Sequence, residues 1–134
     1  MSNRIVIIGA GSTNFGLGIV GDFFKSKILS GSTLVLHDIN SETLKNTHNI
    51  ALSFKEKLGV NFNIVSTTSR TEALQNADFC LISIEVGSRF DLWEQDWKVP
   101  LQYGIKQVYG ENGGPGGLFH ACLLYTSDAA DDRN

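Results

Sequence analysis

Cysteine is nearly absent from this chain: Cys80 and Cys122 are the only two in 134 residues, and their spacing is not that of a metal site. A reducing, cytoplasmic setting fits that usage. No block of like charge exists, and the net charge is −3. Nucleic acid and anionic membranes are therefore poor partners. No apolar run approaches the about 18 residues of a membrane span. No basic segment leads into a long apolar one, so nothing at the start reads as a signal peptide. Internal repeats and low-complexity tracts are missing too. What remains, 42% hydrophobic and 19% charged, suffices for one globular domain with a core.

Against that background the opening stands out. The apolar run Ile5–Ile8 feeds directly into Gly9-x-Gly11, and a second run, Thr33–Leu36, ends at His37-Asp38. This is the pattern of a buried parallel strand that delivers a phosphate to a helix N-terminus, with an acidic side chain closing the next strand for a ribose. The usual third glycine is replaced by Asn14, and Gly16 follows two residues later. A carboxylate at Asp38 accepts from both ribose hydroxyls and repels a 2′-phosphate, which favours NAD over NADP. The competing readings are a tight strand–helix turn with no ligand, and a capping role for Asp38 ahead of Asn40.

Periodicity orders the rest. Phe15, Ile19, Val20, Phe23 and Phe24 form one helical face, with Gly31 as a stop. Gly16, Gly18 and Gly21 lower helix propensity and remove side chains, which predicts close packing on the sheet or a ligand. Strand two is Thr33–His37. Asn40 caps a helix whose inner face is Leu44, His48, Ala51, Phe54 or Lys55, and Leu58, ended by Gly59. Phe62 and Ile64 belong to strand three, Arg70–Gln75 to a helical turn, and 79–84 to strand four after Asp78. Cys80 reads as a buried small hydrophobe there, and His48 as structural. The alternation predicts an α/β fold, a Rossmann-type doubly wound parallel sheet with helices on both faces.

After strand four, Glu85-Val86-Gly87-Ser88-Arg89 falls at the carboxyl end of the sheet, where ligands bind. A helix carrying Leu92, Trp93, Trp97 and Leu101 follows, kinked or interrupted at Pro100. Trp93 and Trp97 read as core or subunit contacts, with a sugar platform as the alternative. Then Gly110, Gly113, Gly114, Gly116 and Gly117 crowd into eight positions. That density predicts tight turning and close approach rather than core packing. Pro115 starts a helix with N–H groups facing an anion or hydroxyl. His120 has a site role or a packing role. For Arg89 and Glu111 a solvated charge is the alternative to a place in the cleft.

From Cys122 the pattern changes. Residues 122–134 resemble the in-frame translation of a transposon-end adapter used in sequencing libraries. On that reading residues 1–121 are the domain and 122–134 a non-native tail; the alternative is an ordinary acidic tail.

Three segments together resemble glycoside hydrolase family 4. They are Ile-Gly-Ala-Gly-Ser at 8–12, Leu-His-Asp-Ile-Asn at 36–40, and Tyr-Gly-Glu-Asn-Gly-Gly-Pro-Gly-Gly-Leu-Phe-His at 109–120. The resemblance implies an NAD- and divalent-metal-dependent glycosidase, usually with Mn2+, related to lactate and malate dehydrogenases. It implies a longer, homo-oligomeric chain with a second domain, of which this segment is the truncated start. Its chemistry is oxidation of the sugar at C3, elimination of the aglycone and addition of water, in place of paired carboxylates. The cofactor residues are then Gly9, Gly11, Ser12, Asn14, Phe15, Asp38, Ile39, Glu85 and Val86. Glu111 assists acid–base chemistry, and Arg89 and Asn112 face the substrate. The metal-binding Cys and His and the Tyr base lie downstream in the family, so no metal ligand is assigned here and the segment alone is expected to be inactive. Phosphosugar-specific members carry an Arg shortly before the Pro-x-x-Tyr-Gly segment. Here Arg89 is several residues further upstream and Trp93 stands near the expected place, which favours a non-phosphorylated α-hexoside. The rivals are a lactate/malate-type 2-hydroxy-acid dehydrogenase and a non-enzymatic NAD-binding sensor module.

Overall fold

The computed structural model describes residues 2–12, 16–84, 87–110 and 113–120. The chain divides into two compact units, 1–84 and 85–134, each described by itself.

The first unit is a four-stranded sheet. β1 (Arg4–Ile8), β2 (Thr33–His37), β3 (Asn63–Thr67) and β4 (Phe79–Ile82) lie in the order β3-β2-β1-β4, every pair parallel. Side chains alternate across a strand, so Ile5, Ile7, Leu34, Leu36 and Ile64 share one face and Val6 and Val35 the other. The first face is covered by α1 (Gly16–Lys25), through Val20 and Phe24, and by α2 (Ser41–Leu58), through Leu44 and Ala51. Phe24 and Phe62 meet with ring centroids 5.5 Å apart. Ala73 of α3 (Arg70–Leu74) packs on the second face.

Local chemistry sets the boundaries of α2. Asn40 accepts from the N–H groups of Glu42 and Thr43, both at 3.1 Å. Gly59 closes the helix at φ +62°, where a side chain would be strained. The inner face differs from the periodicity-based one. Thr47 is buried between Leu44 and Ala51, while Phe54 and Leu58 are exposed, because the helix outruns the five-residue strands it covers.

Three further expectations are corrected. α1 ends at Lys25, and Gly31, at φ +88°, instead turns the chain into β2. A Cβ on Gly18 or Gly21 would meet nothing within 4 Å, so neither glycine permits close packing. Cys80 is exposed rather than buried. It pairs with Val6 on the second sheet face, but α3 lies over β2 and β3, and β4 is an edge strand. Partial desolvation still pushes the Cys80 thiol above its ordinary value.

The second unit contains α4 (Arg89–Gln102) and α5 (Gly114–Leu118). α4 runs through Pro100 without interruption, and Pro100 is its buried residue. Among the described residues no helix is long and apolar enough to cross a membrane.

Candidate functional site

In the first unit the carboxyl ends of β1 and β4 meet where the strand order reverses, the switch point at which open α/β sheets bind ligands. The glycine turn sits there because only glycine can make it. Gly9 adopts φ +87°, and a Cβ on it would fall inside the Ser83 carbonyl. The N–H groups of Gly9 and Ala10 both donate to His37 O, at 2.9 and 3.0 Å, and Ser83 N–H donates to Ile8 O at 2.9 Å. The turn is thus pinned to β2 as β4 is pinned to β1. His37, buried at the end of β2, donates from Nδ1 to Thr67 O at 3.0 Å, which carries the same tie to β3.

Gly11 faces Asp38. Its N–H donates to Asp38 Oδ2 at 2.8 Å, while Asp38 Oδ1 accepts from Asn40 N–H at 2.9 Å. A Cβ on Gly11 would lie 2.5 Å from Thr43 Oγ1 and 2.8 Å from Asp38 Oδ2. The carboxylate therefore fastens the glycine turn to the N-terminus of α2. A carboxylate has about four acceptor positions, so two backbone bonds leave room for a pair of hydroxyls. The bound and the capping readings of Asp38 are thus compatible.

Gly16 takes over the packing glycine's role. Its N–H donates to Ser12 O at 2.9 Å, and a Cβ on it would strike the Ala10 carbonyl. Ser12 is half-buried in the same turn, and Ile39 is 92% exposed beside Asp38. Gly9, Gly11, Ser12 and Asp38 are thus brought together. Asn14, Phe15, Glu85, Val86, Glu111, Asn112 and the tail 122–134 lie outside the described residues. Sequence reasoning missed Thr43 and Ser83. Thr43 was accessible in principle: it lies three residues after the cap Asn40, on the turn that faces Gly11.

In the second unit the last turns of α4 meet α5. Pro100 has no N–H to give the carbonyl of Asp96, four residues back. Gly116 presses against that carbonyl, where a Cβ would collide with it. Gly116 and Gly117 are buried, so part of the glycine cluster serves packing after all, contrary to the density argument. Pro115 does open α5, but the Gly116 N–H is taken by Gln107 Oε1 at 3.2 Å. The Asp96 carboxylate meets His120 Nδ1 at 2.7 Å, both side chains nearly buried. A cavity of about 510 Å³ lies beside it, lined by Leu92, Val99, Tyr103 and Phe119 among others. Arg89 opens α4 with its guanidinium carbon 5.7 Å from the centre of the Trp93 ring. Among the described residues no three His, Cys, Asp or Glu side chains converge to hold a metal ion.

A parallel sheet in this order, with a glycine turn at its switch point and an acid closing β2, defines a Rossmann-type domain. Comparison gives the family: the model of the family 4 glycosyl hydrolases matches residues 4–124, and the chain belongs to that family. It is 54% identical over 124 residues to an α-glucosidase of Erwinia rhapontici, covering 92% of this chain and 27% of the relative. It is 30% identical over 118 residues to an α-galactosidase of Bacillus subtilis (strain 168), covering 88% and 27%. The chain thus spans about a quarter of the length of the curated relatives it matches. Among solved structures, a 6-phospho-α-glucosidase from gut microorganisms, in complex with NAD and Mn2+, superposes with a TM-score of 0.78. It is 20% identical, with 98% of this chain and 29% of that one covered. A malate dehydrogenase of Cryptosporidium parvum superposes with a TM-score of 0.55 at 24% identity, covering 74% and 31%. These two likenesses show the shared fold.

Proposed function

We propose that the intact protein is an NAD- and divalent-metal-dependent glycosidase that hydrolyses non-phosphorylated α-hexosides in the cytoplasm. The observation that carries this reading is the Gly9–Gly11 turn and the Asp38 carboxylate, held together at the switch point of a family 4 chain. When bound, NAD supplies a reversible hydride acceptor and the metal, manganese by preference, a Lewis acid, for oxidation at C3, elimination and water addition.

This chain's own residues bind and orient. Gly9 and Gly11 let backbone approach a diphosphate without a side chain between. Asp38 keeps acceptor positions for the two ribose hydroxyls and repels a 2′-phosphate. Asn14, Phe15, Ile39, Glu85 and Val86 line the nucleotide. Glu111 assists the proton transfers, and Arg89 and Asn112 contact the sugar. The metal ligands come from outside the described residues, so no step is assigned to them here. The non-phosphorylated substrate is supported by the 54% identity to an α-glucosidase and by the position of Arg89, several residues upstream of the place where phosphosugar-specific members carry an Arg.

The test is release of nitrophenol from a nitrophenyl α-glucoside by the intact protein. The expected result is turnover with no net NADH, abolished by a chelator. Net NADH from a 2-hydroxy acid with no nitrophenol would establish the dehydrogenase instead. NAD binding with neither activity would leave the sensor module.

A further inference from the structure

Thr43, half-buried in the first turn of α2, closes a ring of contacts around Asp38. The two carboxylate oxygens are already held, Oδ2 by Gly11 N–H at 2.8 Å and Oδ1 by Asn40 N–H at 2.9 Å. Thr43 joins that pair from the other side. Its N–H donates to Asn40 Oδ1 at 3.1 Å and its hydroxyl to Asn40 O at 3.2 Å. The ring is completed at Gly11. Of the atoms a Cβ there would meet, Thr43 Oγ1 is nearest at 2.5 Å, followed by Asp38 Oδ2 at 2.8 Å and Asp38 Cγ at 2.9 Å. The Thr43 hydroxyl and the Asp38 carboxylate thus flank one face of the same glycine. The bond to the carbonyl three residues back fixes the Thr43 side chain. With its proton spent there, the hydroxyl keeps only acceptor capacity.

We infer that Thr43 is a positioning residue for Asp38 and, through it, a determinant of the choice of NAD over NADP. The inference rests on the reading of Asp38 as the acid that receives the adenosine ribose. A carboxylate held in one orientation meets two hydroxyls without first being ordered, which favours binding. The same carboxylate, unable to turn away, repels a 2′-phosphate in full. Removing the Thr43 hydroxyl frees the Asn40 carbonyl and loosens the backbone that holds Asp38 Oδ1. It also takes away the polar atom nearest the open face of Gly11. Asp38 then gains freedom to rotate, so NAD loses its prepared partner while NADP loses part of its repulsion. The competing role is helix capping alone, because the bond from Thr43 to Asn40 O is local to the first turn of α2.

The experiment uses the intact protein carrying Thr43→Val, which keeps the branched shape without the hydroxyl, or Thr43→Ser, which keeps the hydroxyl. Thr43→Ala serves in place of Thr43→Val if the latter does not fold. Affinities for NAD and NADP are measured by calorimetry, in the parent and in an Asp38→Ala background. The inference predicts that Thr43→Val weakens NAD about 3- to 10-fold, the worth of one hydrogen bond. NADP changes by less, so the preference for NAD narrows. Thr43→Ser stays within about twofold of the parent for both nucleotides. In the Asp38→Ala background Thr43→Val adds nothing further, because the two changes act through one group. Helix capping alone would lower the unfolding midpoint and the amount of binding-competent protein and leave the ratio of the two affinities unchanged. An unchanged ratio in Thr43→Val, or an effect fully additive with Asp38→Ala, would overturn the inference. A parent that binds neither dinucleotide would instead refute the cofactor reading itself, and the inference with it.

Discussion

The two units use glycine in different ways. In the first, Gly9 and Gly11 make a strand-end turn whose neighbours are the Ser83 carbonyl, the Asp38 carboxylate and Thr43. Glycine there ties the ends of β1, β2 and β4 and the start of α2 together at the switch point. In the second, Gly110 and Gly116 receive the ring of Trp93 and the carbonyl of Asp96. Glycine there docks one piece of backbone on α4. A glycine cluster in a sequence signals close approach, but what approaches is set by the fold: a strand-end carbonyl and a carboxylate in one case, a helix in the other.

Substitutions test that contrast, and Gly9→Ala has the largest expected effect. A positive φ and a collision with the Ser83 carbonyl destabilise the intact protein by about 3–5 kcal/mol in denaturant unfolding. A loss below about 1 kcal/mol would mean the turn is not built as described. Gly116→Ala drives a methyl into the Asp96 carbonyl and costs about 2–3 kcal/mol. If the second unit's glycines serve docking alone, NAD affinity per folded molecule stays unchanged; a parallel loss of affinity would erase the distinction between the units. Asp38→Ala removes the two backbone bonds from Gly11 and Asn40 and weakens NAD binding tenfold or more by calorimetry. Asp38→Asn does little better, because its amide group must face one of the two N–H donors; wild-type affinity in Asp38→Asn would reject the clamp. The smallest effect has the opposite sign. Gly18→Ala, in open helix, stabilises by about 0.5–1 kcal/mol, and a destabilisation would show that α1 packs where no neighbour lies.

The sheet was legible because its signals are local and redundant. β2 was placed at its observed bounds from an unbroken apolar run ending in an acid. α2 was placed by its two caps, since Asn40 and Gly59 have capping chemistry that needs no partner. Burial was less legible, because it depends on what covers a residue. Cys80 sits in an apolar run, yet it lies on an edge strand beyond the helix over β2 and β3. Phe54 and Leu58 have the right period and still extend past the sheet. At the site, Gly9, Gly11 and Asp38 carried their own signature. The bond between Gly11 and Asp38 did not, since it joins residues 27 apart. Pro100 misled because the carbonyl it orphans is met by a distant glycine, a contact no local rule foresees.

The account's central claim is tested most directly by a crystal structure of the intact protein with NAD. The nucleotide's diphosphate is predicted to lie against the backbone of Gly9 and Gly11, with its adenosine ribose hydroxyls on Asp38. A nucleotide bound anywhere else, or an empty switch point at saturating NAD, would contradict it.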